Sequence, residues 1–310
     1  MHISLRQLRY AIALAQTGHF GRAAERVHVS QPALSQQIRL LEETCGGILF
    51  DRPGRSVRLT PFGQDIVDRA RPIVEQADAL LAFATAQAGK PARPLRFGLI
   101  PTVAPYLLPD IFPALQAALP ELGFSVSEDR TDALIAALGD GSLDLALIAS
   151  EPRPGGPRLT VAPLFADPFV LATAPGDRTQ EPVQLGSIDT KRMLLLDEGH
   201  CFRDQAIAAC SFEHSDVSRA FAATSLSTIV EFVANGQGIT LLPEIALRKE
   251  ATGARIGIHA LAAPGAGRML SLVWRGATPY AELFERVAEI IRDARPAIPA
   301  ALRSTIHRLK

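Results

Sequence analysis

Apolar positions recur at helical spacing from the start of the chain. Leu5, Leu8, Ala11, Ile12 and Ala15 mark one face of a helix that Gly18 ends. Phe20 to Val27 predicts a second, shorter helix, with Ala23 and Ala24 small enough for close packing. After a turn at His28-Val29, Ser30 is suited to cap a third helix running to about Cys45, and Pro32 is tolerated in its first turn. Leu34, Ile38 and Leu41 belong to the core face of that helix, while Gln31, Ser35, Gln36, Gln37 and Arg39 form its polar side. Two short helices joined by a tight turn make a helix-turn-helix. Gln reads adenine edges and Arg reads guanine edges or phosphate, so this polar side suits the major groove of double-stranded DNA.

Two short extended runs then flank Pro53-Gly54, which predicts a hairpin wing carrying Arg52, Arg55 and Arg58 toward phosphates. Thr60-Pro61 starts a long helix. Its apolar residues Ile66, Ala70, Ile73, Ala77, Leu80 and Ala84 step alternately by four and three, a heptad seam for a partner helix or for the chain's own second domain. Pro72 interrupts it, so a bend or a break is expected there. Gln87 to Pro94 reads as a hinge.

Beyond it strands alternate with helices, the signature of a parallel α/β sheet. Strands are expected at 95–100, 125–128 and 143–149, with helices after Pro101 and from Thr131. Ligands in such sheets bind beyond the carboxyl ends of strands, where Thr102 and Thr131 sit; plain helix capping is the alternative use of both. The chain should cross to a second lobe around Phe169 and return near Leu270. The expected organisation is residues 1–60 as the DNA head, 61–90 as helix and hinge, and 91–310 as a two-lobed domain. Its first lobe covers about 95–167 and 269–300, its second about 168–268.

Composition narrows the function. With 32 basic and 32 acidic residues in 310, any nucleic-acid site is a local patch. Three cysteines make no extracellular disulfide framework, no apolar run approaches a membrane span, and the N-terminus lacks a signal-peptide layout. A cytoplasmic chain with reduced thiols is expected. No metal or cofactor motif is present.

Two of the cysteines stand in Gly199-His200-Cys201-Phe202-Arg203-Asp204-Gln205, followed by an alanine-rich run to Cys210. One reading is a loop feeding a helix with two small buried thiols. The other is a redox pair, since a helix N-terminus and the neighbouring Arg203 both favour a thiolate at Cys201. The cysteines are nine positions apart, about 13 Å of rise on one helix. A disulfide needs Cα atoms within about 7 Å, so bonding requires the segment to unwind. Cys45, among Leu40, Leu41 and Ile48, reads as a buried structural thiol.

Three stretches together resemble the peroxide-sensing LysR-type transcriptional regulators over nearly the whole chain. They are Ala23-Ala24 with Ser30-Gln31-Pro32-Ala33-Leu34-Ser35, Ile100-Pro101-Thr102 with Pro105-Tyr106-Leu107-Leu108-Pro109, and the cysteine segment. The resemblance implies a winged helix-turn-helix, a linker helix, and a periplasmic-binding-protein-like α/β regulatory domain. It implies Cys201 as the peroxide-reactive cysteine and Cys210 as the resolving one. Thr102, Thr131, His200, Arg203 and Asp204 fall at pocket positions, although His200 is equally read as a packed loop histidine. It implies promoter DNA, hydrogen peroxide, RNA polymerase, a thioredoxin- or glutaredoxin-type reductant and a homodimer or homotetramer, and a regulator rather than an enzyme. Phe202 departs from the family pattern, where a smaller aliphatic is usual, and the Pro- and Gly-rich loop from Glu151 to Arg158 differs too. The competing expectation is a LysR-type regulator of a small metabolite with structural cysteines.

Overall fold

The computed structural model describes residues 2–51, 57–86, 91, 93–152, 156–177, 179, 181–210 and 222–296. Arg52, Arg55 and the Pro53-Gly54 turn lie outside the described residues, as do positions 87–90 and 92 of the hinge, 153–155 of the loop, and the tail from 297. The chain divides into two units, Met1–Lys90 and Pro91–Lys310.

In the first unit, α1 (Leu5–Thr17) opens on a reciprocal cap, the Ser4 hydroxyl accepting from the Gln7 N–H while the Gln7 side chain accepts from the Ser4 N–H. Gly18 closes it at φ 60°, a left-handed conformation that favours glycine. Helices α2 (Phe20–Arg26) and α3 (Gln31–Cys45) follow. The three bury Leu8, Leu14, Ala23, Leu34, Ile38 and Leu41 in one core. Strands β1 (Phe50–Asp51) and β2 (Arg58–Leu59) pair antiparallel as the base of the wing. The Glu42 carboxylate accepts from the N–H groups of Leu49, at 2.9 Å, and Phe50, at 3.2 Å, which ties the wing to the end of α3.

Helix α4 (Pro61–Ala86) runs through Pro72 as one element, where two pieces or a bend were expected. Pro72 is exposed, and so is Asp68, whose carbonyl loses a donor; water can replace it. The heptad seam is only partly free. Ala70 packs in the head core with Val67 and Val74, whereas Ile73 and Leu80 are 51% and 68% exposed. Cys45 is half-buried against the same core rather than fully enclosed, because neighbouring Leu40 and Ile48 point outward; burial still raises its pKa.

The second unit begins β3 (Leu95–Leu99), α5 (Ala104–Ala118), β4 (Phe124–Glu128), α6 (Thr131–Gly139), β5 (Leu145–Ile148). Strand β3 lies parallel to both β4 and β5. A long β6 (Leu159–Thr173) follows, then β7 (Leu195–Leu196), α7 (Cys201–Ala209), β8 (Ala222–Ala223), α8 (Leu226–Ala234) and β9 (Thr240–Pro243). The unit ends with α9 (Leu247–Glu250), β10 (Gly257–Ala260), β11 (Gly267–Arg275) and α10 (Ala281–Asp293). The sheet order is β10-β6-β11-β5-β3-β4, with β9 also on β6. Up to Pro168, β6 pairs with β11; from Phe169 it pairs with β9 and β10. One strand therefore serves both lobes. Each lobe has its own core, one around Phe97, Leu147 and Trp274, the other around Phe169, Phe202 and Leu242.

The first half of β6 is missing from the sequence reading because Pro163 and Pro168 argue against a strand. The structure reconciles Pro163 with the sheet through a register shift, Leu270 facing Phe165 and Ser271 facing Pro163.

At the crossing, Arg268 of β11 stands opposite Asp167 of β6. Its Nε donates to Asp167 Oδ2 at 2.9 Å, and both side chains are wholly buried. Its other nitrogens donate to Thr102, Nη1 to Oγ1 at 2.8 Å and Nη2 to the carbonyl at 3.0 Å. The second Asp167 oxygen accepts from the Ile245 N–H at 3.1 Å. Removing one partner of a buried pair strands the other charge and costs about 3–5 kcal/mol. Asp167→Asn should lower the stability of this unit by about that much, measured as the midpoint shift of its transition in urea unfolding of the full chain. A shift equivalent to under about 1 kcal/mol would mean the pair is not uncompensated by the change.

Candidate functional site

Helix α7 starts where it does because of a turn. The Asp197 N–H donates to Ala223 O, continuing the β7–β8 edge, and Gly199 then takes φ 89°. A Cβ on Gly199 would also lie 2.7 Å from Arg130 Nη1, so the end of that side chain would have to move aside. The Arg203 N–H donating to His200 O at 3.0 Å closes the first turn. His200 is the N-cap residue, but its side chain makes no capping bond. Cys201 is thereby the first helical residue and Cys210 the residue that ends the helix.

The two thiols are free and differently placed. Cys201 is half-buried and packs against the first lobe's core, although α7 belongs to the second. Cys210 is buried in the second lobe's core, and burial pushes its pKa up to about 11. Phe202 is 2% exposed. Its ring meets Phe169 edge-on at 5.1 Å, and the Arg268 guanidinium lies over it at 5.4 Å.

The predicted pocket residues arrive by separate routes. Neither threonine caps a helix, contrary to that alternative: Val103 caps α5 and Arg130 caps α6. Thr102 is buried and accepts from Arg268. Thr131 is the first residue of α6, and its hydroxyl is buried without a partner among the described residues. An unmade bond of that kind costs about 1–3 kcal/mol, so the hydroxyl is set for a ligand or water. Arg130 against Gly199 joins the start of α6 to the turn before α7. His200 is 7% exposed, and its pKa is lowered by that burial and by the Arg130 charge. A neutral imidazole both donates and accepts.

Arg203 and Asp204 differ in their attachments. Arg203 Nη1 donates to the Leu196 carbonyl at 3.0 Å, anchoring α7 to β7. Asp204 is exposed in the first turn and bonds neither Arg203 nor His200 among the described residues; its charge instead complements the helix N-terminus. Two residues were missed. Arg268 is nearly seventy positions downstream of Cys201 and carried no local signal. Gln205 bridges α7 to the end of β5 by donating to the Ala149 carbonyl, and its own carbonyl oxygen is buried without a partner among the described residues. No group of three His, Cys, Asp or Glu side chains is set for a metal among the described residues.

On the first unit, Ser30, Gln31, Pro32, Gln36, Arg39 and Arg58 are exposed, while Ser35 and Gln37 are half-buried. The Ser30 hydroxyl accepts from the Ala33 N–H at 3.4 Å, so it fixes the start of α3. Among the described residues, no helix is long and apolar enough to cross a membrane.

Comparison with known proteins finds relatives for both units. Residues 5–64 match the bacterial regulatory helix-turn-helix proteins of the lysR family, and residues 88–296 match the LysR substrate binding domain. A hydrogen peroxide-inducible genes activator of Dickeya chrysanthemi is 38% identical over 293 residues, covering 94% of this chain and 95% of the relative. The DNA-binding transcriptional dual regulator OxyR of Escherichia coli K12 is 38% identical over 292 residues, with the same coverage. Among solved structures, a full-length OxyR of Pseudomonas aeruginosa with a cysteine-to-aspartate change is 36% identical. It superposes with a TM-score of 0.74, covering 94% of this chain and 95% of that one. A hydrogen-peroxide-bound cysteine-to-serine mutant of Corynebacterium glutamicum OxyR is 32% identical, with a TM-score of 0.66, covering 100% and 98%. With a recognition helix, a wing base and a two-lobed sensor carrying a free cysteine at a helix start, the chain belongs to the lysR family of bacterial regulators and, within it, groups with the proteins named OxyR.

Proposed function

We propose that this chain is a hydrogen-peroxide-responsive transcriptional regulator, in which Cys201 reacts with peroxide and Cys210 resolves it. The observation that carries this reading is Cys201 at the first turn of α7, half-buried and free, after a Gly199 turn that lies against Arg130, the residue before Thr131, whose hydroxyl has no partner among the described residues. Peroxide is uncharged and small, and it both donates and accepts hydrogen bonds. Thr102, Thr131 and neutral His200 supply groups of matching type. The Cys201 thiolate attacks one oxygen, the O–O bond breaks, and the other oxygen leaves as hydroxide, taking a proton to become water. The product is a sulfenic acid. The Cys210 sulfur then attacks the Cys201 sulfur, the hydroxyl leaves as water, and a disulfide forms. With its pKa near 11 in the reduced fold, Cys210 becomes a competent partner only once α7 unwinds and exposes it.

The refolded segment changes how the head sits on promoter DNA. The active species is a homodimer or homotetramer in the cytoplasm, acting with RNA polymerase, and a thioredoxin- or glutaredoxin-type dithiol restores it. Arg203 fixes the helix that must yield, and Asp204 adds charge at its start. Gln31, Gln36 and Arg39 read bases; Arg58, with Arg52 and Arg55, holds phosphates.

Mass spectrometry of the reduced chain after one equivalent of peroxide should show a Cys201–Cys210 link, and iodoacetamide at neutral pH should modify Cys201 in preference to Cys210. Thiols that stay free while a small organic ligand alters DNA binding would favour the metabolite reading.

His200 also makes stability depend on pH. Its folded pKa lies below its unfolded value near 6.5, so the unfolded chain binds the proton first. Its contribution is complete above about pH 6.5 and is lost as pH falls through the folded pKa. Urea midpoints should therefore decline from pH 7 to 5, and His200→Gln should flatten that slope; an unchanged slope counts against a buried neutral imidazole.

On the head, Arg58→Ala should weaken binding equally for specific and unrelated duplexes. It should also reduce the slope of log K against log salt by about one. A change in sequence preference would instead assign Arg58 to base reading.

A further inference from the structure

We propose that Phe202 is a positioning residue for the thiol switch: held between the Arg268 guanidinium and Phe169, its ring anchors the reduced form and sets how readily Cys201 moves to Cys210. The inference rests on the disulfide reading above.

The anchor has two faces and a fixed base. Phe169 meets the ring edge-on at 5.1 Å with the planes 82° apart, a favourable aromatic pair. The cation lies 5.4 Å from the ring centroid, within the range of cation–π attraction and out of water. Arg268 cannot follow a moving ring. Its Nε, Nη1 and Nη2 are all bound, to Asp167 and to both oxygens of Thr102. Phe169 is held in the sheet opposite Pro243.

Phe202 is joined to Cys201 by one peptide bond. When the first turn of α7 unwinds, Phe202 leaves its place with it. The reduced form therefore holds a stabilisation that the disulfide form gives up. A smaller aliphatic at this position would keep apolar contact but has no π face for the cation and no edge for Phe169. This chain accordingly needs a more oxidising environment to keep its disulfide. In the exchange with glutathione, two thiols are oxidised to one glutathione disulfide as the protein disulfide is reduced to two thiols.

The test is equilibration of the full chain in glutathione buffers of stepped ratio, with the Cys201–Cys210 link quantified by mass. Phe202→Leu should shift the dithiol-to-disulfide balance about tenfold toward disulfide, a midpoint about 30 mV more negative. Phe169→Leu, which removes the edge partner and leaves α7 untouched, should shift it in the same direction by less. A variant that merely loosens the fold lowers the melting temperature of both redox forms and leaves the midpoint in place. That result, for both variants, overturns the anchor while the disulfide itself stands. A wild-type chain that forms no such link in any buffer overturns the pairing, and the anchor with it.

Discussion

The sensor half depends on one buried guanidinium. A guanidinium taken out of water needs a counter-charge and acceptors for its N–H groups, so a carboxylate accompanies Arg268 into the interior. Asp167 does so from the directly opposite position on the neighbouring strand. The pair sits where β6 passes from one lobe's core to the other's, two residues before the strand changes partners at Phe169. Three groups then take their places from it. Thr102 is held by two bonds, Phe202 lies under the cation, and the Ile245 N–H is satisfied by the second carboxylate oxygen. A hydrophobic substitute for the pair would fill the space but would orient none of them. Here a desolvated ion pair serves geometry more than stability.

Around that fixed point the two thiols are made unequal. Cys201 reaches toward the first lobe from the first turn of a second-lobe helix, and Cys210 is enclosed in the second lobe's own core. Burial keeps Cys210 protonated at neutral pH, so in the proposed reaction its attack on Cys201 waits until the helix has opened. The helix capping supports this division. Each end of α7 is a cysteine position, and the side chain at its N-cap, His200, makes no capping bond. A helix whose first turn lacks that stabilisation is readier to unwind there.

The head was legible almost residue by residue, because helix periodicity, Gly18 and the Ser30 cap are local signals. The parallel strands β3, β4 and β5 were legible for the same reason. What the sequence hid is nonlocal. Nothing near Arg268 announces a partner about a hundred positions earlier. Pro163 disguised a strand that a register shift rescues. The threonines illustrate the limit well: their place at strand ends could be read, but both were open to a capping role. Only the backbone shows Val103 and Arg130 in that role, with one hydroxyl bound to Arg268 and the other without a partner among the described residues. The attachment of Arg203 to the Leu196 carbonyl is likewise nonlocal and could not be read from its neighbours on α7.

Helix length explains why the proposed switch would be local. At nine residues, α7 is shorter than the roughly 12–15 that an isolated helix needs for even marginal stability in water. It exists because Phe202, Ala206 and Ile207 are buried on one face and because Arg203 and Gln205 tie it to β7 and β5. Those ties are few and nameable. None of them belongs to the strand pairings that hold β6 and β11 together. In the proposed switch α7 therefore exchanges its contacts for a covalent bond while the crossing strands, and the ion pair between them, remain as the frame against which the change is read.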